Sequence, residues 1–77
     1  IGRLAVLPDY RGHGLGGRLL QHIVAHALAG GQSTLYLHAQ VHAIKFYIRH
    51  GFFAEGDEFL EAGIRHRLMR YSPATAD

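Results

Sequence analysis

The sequence contains no cysteine, which excludes disulfide bonds, thiolate metal sites and cysteine nucleophiles together. A chain without cysteine suits a reducing compartment, and we expect this protein to be cytoplasmic. The sequence also lacks any apolar run near the roughly eighteen residues that a membrane-spanning helix needs. Its first residues do not combine a basic region, an apolar stretch and a cleavage site, as a secretory signal does. We therefore expect no membrane partner.

The chain is short and does not begin with methionine. Its 77 residues suffice for one small domain, and such a chain buries only about 60% of the surface that its unfolded form exposes. Ile1 stands inside an apolar stretch, so we expect a fragment of a longer protein. Because a first strand without its neighbour presents an unpaired edge, we expect the isolated polypeptide to be unstable or to self-associate as a homo-oligomer.

Acidic residues are absent from residues 10–54, and six of the seven histidines lie in that segment. The basic residues of the segment are Arg11, Arg18, Lys45 and Arg49. A long segment of one charge sign favours an anionic partner such as phosphate, a nucleotide or nucleic acid. Solvated basic faces are the alternative, which charge alone leaves open.

Hydrophobic patterns predict the first strand and the first helix. Residues 1–7 are β-rich and apolar, which predicts a strand buried on both faces that ends at Pro8. An apolar stripe at spacings of three and four predicts a helix from the glycine-rich residues 12–17 to about Leu28. The stripe consists of Leu19, Leu20, Ile23, Val24, Ala27 and Leu28, and the opposite face carries Arg18, His22 and His26.

The rest of the chain predicts one more strand, one more helix and a hairpin. Residues 34–39 predict the strand, and residues 42–50 predict the helix, which Gly51 ends. Residues 52–56 and 66–71 predict a hairpin around the turn residues 61–63, and a disordered tail follows at 72–77. The order β-α-β-α-β-β predicts an α/β fold whose first two strands are parallel. The glycines then lie at the carboxyl end of the first strand, where open α/β sheets bind ligands.

Glycines before a helix expose backbone N–H groups, which bind phosphate together with the helix dipole. A Walker loop is excluded because Arg18 and Leu19 follow Gly17 in place of lysine and a hydroxyl residue. The dinucleotide fingerprint matches formally at positions 12, 14 and 17, but it expects an acidic residue about twenty positions later. After the glycines no acidic residue occurs before Glu55, so we exclude this motif as well.

Two segments, the first of which contains these glycines, resemble the GNAT acetyltransferases. VLPDYRGHGLG, residues 6–16, resembles the acetyl-coenzyme A loop of that family, and AIKFYIRHGF, residues 43–52, resembles its later helix. Gln40 departs from the family, in which asparagine is common at this place. Residues 61–69 are similar to the ElaA-like subgroup, although that subgroup often has proline where Arg65 stands.

The resemblance covers about residues 1–71 and implies both a fold and a function. It implies a GNAT-like α/β fold in which residues 1–71 are the C-terminal portion of one incomplete domain, followed by the tail. It also implies a transferase, an acetyl-CoA-dependent N-acetyltransferase, in which a primary amine of a small molecule or protein attacks the thioester directly. The acceptor stays open. The alternative function is a non-catalytic basic α/β module that binds phosphate or nucleic acid, which ranks lower because no nucleic-acid motif is present.

The same resemblance assigns roles to individual residues. The cofactor pyrophosphate is expected at the backbone N–H groups of His13, Gly14, Leu15 and Gly16, with Arg11 and Gly12 nearby. The pantetheine arm is expected to pair with the backbone of Leu4, Ala5 and Val6, with the Val6 N–H polarising the thioester. Tyr47 is expected to protonate the coenzyme A sulfur, because a phenol of ordinary pKa about 10 suits a thiolate of comparable basicity.

Each of these roles has a structural alternative. Tyr47 stands among apolar residues and could be a core aromatic, the glycines could form only a tight turn, and Arg11 could be solvated. The base that deprotonates the amine stays open among Glu58, Glu61, His38 and His66. His22 and His26, like His38 and His42, are four residues apart, but the glutamate of a His-Glu-x-x-His zinc site is missing. We therefore expect solvated histidines and no metal.

Overall fold

The computed structural model describes residues 4–8 and 16–72, in which the elements follow the predicted order. The strands and helices are β1 (Leu4–Val6), α1 (Gly17–Ala29), β2 (Thr34–Gln40), α2 (Ile44–Arg49), β3 (Phe53–Glu61) and β4 (Ile64–Tyr71). A single 3-10 turn, Val41–Ala43, joins β2 to α2, so the second predicted helix begins as a 3-10 turn. Residues 73–77, most of the predicted tail, lie outside the described residues.

The strands form one mixed sheet in the order β1-β2-β4-β3. β1 is parallel to β2, as predicted, with Val6 opposite Tyr36 at the end of their register. β4 is antiparallel to both β2 and β3. Residues 37–40 of β2 continue beyond the register with β1 but remain paired with β4. Among the described residues, this end of β2 therefore has a strand partner on one edge only.

The two helices cover one face of the sheet, which we call the helix-covered face. Leu35, Leu37 and Ala39 alternate along β2 and are fully buried, because every second side chain of a strand points to the same face. They share one core cluster with Leu20, Val24, Ala43, Tyr47, Phe52 and Met69. Burial of each large apolar side chain stabilises the fold by about 1.5–3 kcal/mol. This cluster is the hydrophobic core of the described residues.

The opposite face of the sheet is not covered by any described helix, and we call it the open face. Val6, Tyr36 and His38 point to it, because their neighbours along the strands are the residues packed on the core. Leu4 and Val6 are 60% and 66% exposed. The prediction of a first strand buried on both faces is therefore wrong for the described part, because β1 is an edge strand with one covered face. Leu19 of the predicted apolar stripe is also exposed, at the border of the buried surface of α1.

The hairpin has longer strands than the sequence predicts. β3 and β4 pair as far as Glu61 and Ile64, and only Ala62 and Gly63 form the turn, with φ values of 53° and 76°. Positive φ at both central residues is the geometry of a type I′ hairpin turn, which matches the twist of the strands. An irregularity of register between Glu55 and Phe59 interrupts the alternation of side chains in β3. Because of this interruption, the second half of β3 lacks the simple alternation of apolar and polar residues that predicts a strand.

Candidate functional site

The last residue of the predicted phosphate loop, Gly16, is described, and it lies at the amino end of α1. Gly16 is the N-cap, with an extended backbone at φ −85° and ψ 168°. No side chain caps the helix by a hydrogen bond, and its first turn has no acidic residue. The first N–H groups of a helix lack intrahelical acceptors, and the dipole adds partial positive charge there. This end of α1 can therefore bind an anion. Residues 11–15, which carry the other predicted pyrophosphate contacts, lie outside the described residues.

Two adjacent glycines at this end have different reasons to be glycine. A Cβ on Gly17 would collide with the imidazole ring of His50, so Gly17 is required by the packing of α1 against that ring. A Cβ on Gly16 would meet no atom of the described structure within 4 Å. Contacts with the described residues therefore do not require glycine at position 16. No local pattern in the sequence indicates the contact of Gly17 with His50.

β1 places the backbone predicted to contact the pantetheine arm. Ala5 packs on the core, whereas Leu4 and Val6 point to the open face. The Leu7 N–H donates to the Tyr36 carbonyl over 2.7 Å. Because successive N–H groups of a strand point to opposite edges, the Val6 N–H is directed away from β2. The Val6 N–H therefore does not face β2, and its role in polarising the thioester stays a prediction.

Tyr47 lies in the core behind β2. Its side chain is fully buried, and its ring makes edge contacts with Phe46 and Phe52 at centroid distances of 5.2 and 5.5 Å. These contacts fix the ring on the helix-covered face, in the same core cluster as Leu37 and Ala39. The position suits the core aromatic of the structural alternative. The geometry alone leaves both roles open.

Three of the four candidate bases come together on the open face, and we call them the histidine cluster: His38, Glu61 and His66. The Nδ1 of His38 donates to Oε1 of Glu61 over 2.8 Å. The Nε2 of His66 lies 3.9 Å from Oε2 of the same carboxylate, and its Nδ1 donates to the Ile64 carbonyl over 2.7 Å. Phe59 contacts both imidazole rings. His66 is 5% exposed, so this cluster is built into the hairpin.

The remaining candidates are dispersed. Glu58 pairs instead with Arg65, at 3.5 Å on the surface. His22 and His26 are exposed on α1, and His42 donates to the Gln40 side chain over 2.7 Å. Within residues 4–8 and 16–72, no group of three or more His, Asp or Glu side chains is arranged to hold a metal ion. None of the helices in the same ranges is long and apolar enough to cross a membrane.

Comparisons with known proteins agree with this fold. Residues 1–73 match the family model described as "Acetyltransferase (GNAT) domain". The chain is 40% identical over 68 residues to the Bacillus subtilis protein named "Uncharacterized N-acetyltransferase YjcF", which covers 87% of this chain and 49% of that protein. It is 41% identical over 69 residues to the UPF0039 protein Rv2851c of Mycobacterium tuberculosis, covering 90% of this chain and 42% of that one.

A solved structure gives the same result. The crystal structure of an acyl-CoA N-acyltransferase from Pseudomonas aeruginosa superposes with a TM-score of 0.69 at 36% identity. The superposition covers 80% of this chain and 42% of the other. The chain thus spans less than half of the length of these three relatives.

Proposed function

Because this chain belongs to the GNAT acetyltransferase family, we propose that it is part of an N-acetyltransferase that moves an acetyl group from acetyl-CoA to a primary amine. Residues 1–71 form the C-terminal portion of its single acetyltransferase domain in this proposal, and the amine belongs to a small molecule or a protein. The ElaA-like subgroup, the cytoplasmic location and the homo-oligomer stay predictions of the sequence.

The observation that carries the proposal is the amino end of α1. Gly16 ends the segment that resembles the acetyl-CoA loop, and a Cβ on it would meet no atom of the described residues within 4 Å. The absence of acidic residues from the first turn leaves the helix dipole available to a pyrophosphate. The residues that would hold the pyrophosphate are Arg11, Gly12, His13, Gly14, Leu15 and Gly16. When bound, acetyl-CoA supplies an activated acetyl thioester.

Tyr47 is the proposed proton donor to the leaving sulfur. The ring contacts with Phe46 and Phe52 hold it in one orientation, so the phenol needs no reorganisation when the sulfur departs. Its burial also excludes bulk water as a competing proton source. A phenol that donates its proton to the departing thiolate acts as a general acid. General acid catalysis typically increases the rate by about 10²–10⁴-fold.

Replacement of Gly16 by alanine in the full-length protein tests the binding part of the proposal. The new methyl group meets no atom of residues 4–8 and 16–72, and φ of −85° is ordinary for alanine, so the melting temperature should hardly change. The methyl group should obstruct the pyrophosphate and weaken coenzyme A binding by about tenfold or more, as measured by calorimetry. Gly30→Ala is the matched control at the other cap of α1, where a Cβ makes only ordinary contacts.

The outcomes are distinct. Coenzyme A affinity that falls in Gly16→Ala and is unchanged in Gly30→Ala supports the proposed loop. Equal affinity in both variants contradicts it. The alternative basic module would be favoured if the parental protein did not bind coenzyme A but bound nucleic acid tightly, with an affinity that falls as the salt concentration is raised.

A further inference from the structure

The histidine cluster lies against the same segment of β2 as Tyr47, on the other face of the sheet. His38 stands between Leu37 and Ala39, whose side chains enter the core cluster that contains Tyr47. His38 itself points to the open face, because successive side chains of a strand alternate. The segment is also the end of β2 that has no described partner on the β1 side. In the proposed complex an acyl group lies at this end of β2, with Tyr47 on the helix-covered face and His38 on the open face of the sheet.

We propose that His38 is the general base of the acyl transfer and that Glu61 is its positioning residue. The inference rests on the proposed acetyltransferase function. A carboxylate can only accept hydrogen bonds, so Nδ1 of His38 carries the proton in its bond to Glu61, and Nε2 keeps a free lone pair. The His38 side chain is 45% exposed, so an amine arriving over the open face can reach the ring.

The proton balance of the step is complete with these groups. The amine nitrogen attacks the thioester carbonyl carbon, and its proton passes to Nε2 of His38. The carbon–sulfur bond then breaks, and the sulfur takes the phenolic proton of Tyr47. The products are an amide and free coenzyme A, and solvent returns the proton from the imidazolium to the phenolate. The Glu61 carboxylate stabilises the imidazolium while it exists.

The neighbours of His38 separate this role from a structural one. Glu61 is the charged group that faces it from β3, and His66 lies behind that carboxylate on β4. His66 has its Nδ1 engaged by the Ile64 carbonyl and is buried, so it fixes the turn rather than meeting an amine. His42, the next titratable group along the chain, lies in the 3-10 turn after β2 and is bound to Gln40. Only His38 combines a carboxylate partner with an exposed ring among the described histidines.

The test is a pH profile of turnover in the full-length protein. Acetyl-CoA is combined with free lysine, an aliphatic polyamine and a lysine-containing peptide, and the release of thiol is followed for whichever amine the parental protein acetylates fastest. At neutral pH His38→Gln should lower kcat by about 10²–10⁴-fold with little change in KM for acetyl-CoA. The deficit should shrink toward high pH, because the amine then loses its proton without help. His26→Gln, an exposed histidine on α1, is the matched control and should behave as the parental protein.

Glu61→Gln supplies a readout that a structural role would not move. It keeps an acceptor for Nδ1 but removes the charge, so kcat should fall less than in His38→Gln, and the acidic limb of the profile should shift. Parental activity together with a His38→Gln kcat within threefold of it overturns this inference alone. A parental protein that neither binds coenzyme A nor releases thiol overturns the proposed function and this inference with it.

Discussion

The two faces of the sheet differ in what their side chains do. On the helix-covered face, Leu35, Leu37 and Ala39 are fully buried in the hydrophobic core. On the open face of the same strand, His38 is half-exposed and bound to the carboxylate of Glu61. A single strand thus supplies core packing and titratable chemistry to opposite sides of one sheet. The helix-covered face supplies the stability of the fold, and the proposed chemistry lies at the end of β2 that has no described partner on the β1 side.

The comparison also shows why Tyr47 is the ambiguous residue. It is the one member of the core cluster that carries a hydroxyl group, so it belongs to the packed face by burial and to the chemistry by its functional group. Substitutions on the two faces of the sheet therefore separate packing from chemistry.

Tyr47→Phe should have the largest effect if the tyrosine protonates the sulfur. The ring and nearly all of its contacts remain, so in the full-length enzyme kcat should fall by roughly 10²–10⁴-fold while coenzyme A affinity stays unchanged. Tyr71→Phe is the matched control, because Tyr71 packs against the same core. Turnover of Tyr47→Phe within threefold of the parental enzyme, with a lowered melting temperature, would instead make Tyr47 a core aromatic.

Leu37→Ala and Leu4→Ala compare the faces directly. Leu37 is fully buried, so its truncation should lower the free energy of unfolding by about 2–5 kcal/mol. Leu4 points to the open face and is mostly exposed, so its truncation should cost less than about 0.5 kcal/mol. Chemical denaturation of both full-length variants measures the difference. A similar cost at the two positions would mean that the open face is covered in the full-length protein.

Ala62→Gly should stabilise the hairpin that carries Glu61. Ala62 has a φ of 53°, a left-handed conformation that costs a residue with a Cβ about 1–2 kcal/mol. Glycine removes this cost but gains freedom in the unfolded chain, so we expect a net gain of up to about 1 kcal/mol. Gly63→Ala, at φ 76°, should have the opposite sign. A lower melting temperature for Ala62→Gly would contradict the turn geometry.

Glu58→Gln should have the smallest effect. Its ion pair with Arg65 is exposed, and pairs of this kind contribute about 0.2–1 kcal/mol. The loss should decrease further at high salt, and kcat should not change. Glu61→Gln is the comparison on the same strand, where removal of the charge should alter the pH profile of turnover. An effect of Glu58→Gln on turnover as large as that of Glu61→Gln would remove the distinction between the two carboxylates.

Sequence patterns were reliable where the structure depends on near neighbours. The stripe of α1 predicted Leu20 and Val24 as buried, and the Ala-Gly dipeptide lies in the predicted turn. The same patterns gave wrong predictions where the exposure of a side chain depends on distant elements. An apolar Leu4 or Val6 reads as buried, but whether anything covers it is decided by the rest of the sheet. The irregularity in β3 shifted the alternation, so the sequence predicted only the beginning of that strand.

The sequence by itself determined the order of the elements, the parallel first pair, the hairpin and the glycine-led helix, because periodicity and turn residues act within a few positions of the chain. The tertiary structure was needed to show that His38 and Glu61 are partners. They are 23 residues apart, and the register of β2, β4 and β3 brings their side chains to 2.8 Å. The tertiary structure also shows that Gly17 packs against His50, while a Cβ on Gly16 would meet no atom of the described residues within 4 Å. Contacts of this kind depend on which strands and helices become neighbours, and no local pattern of residues contains that information.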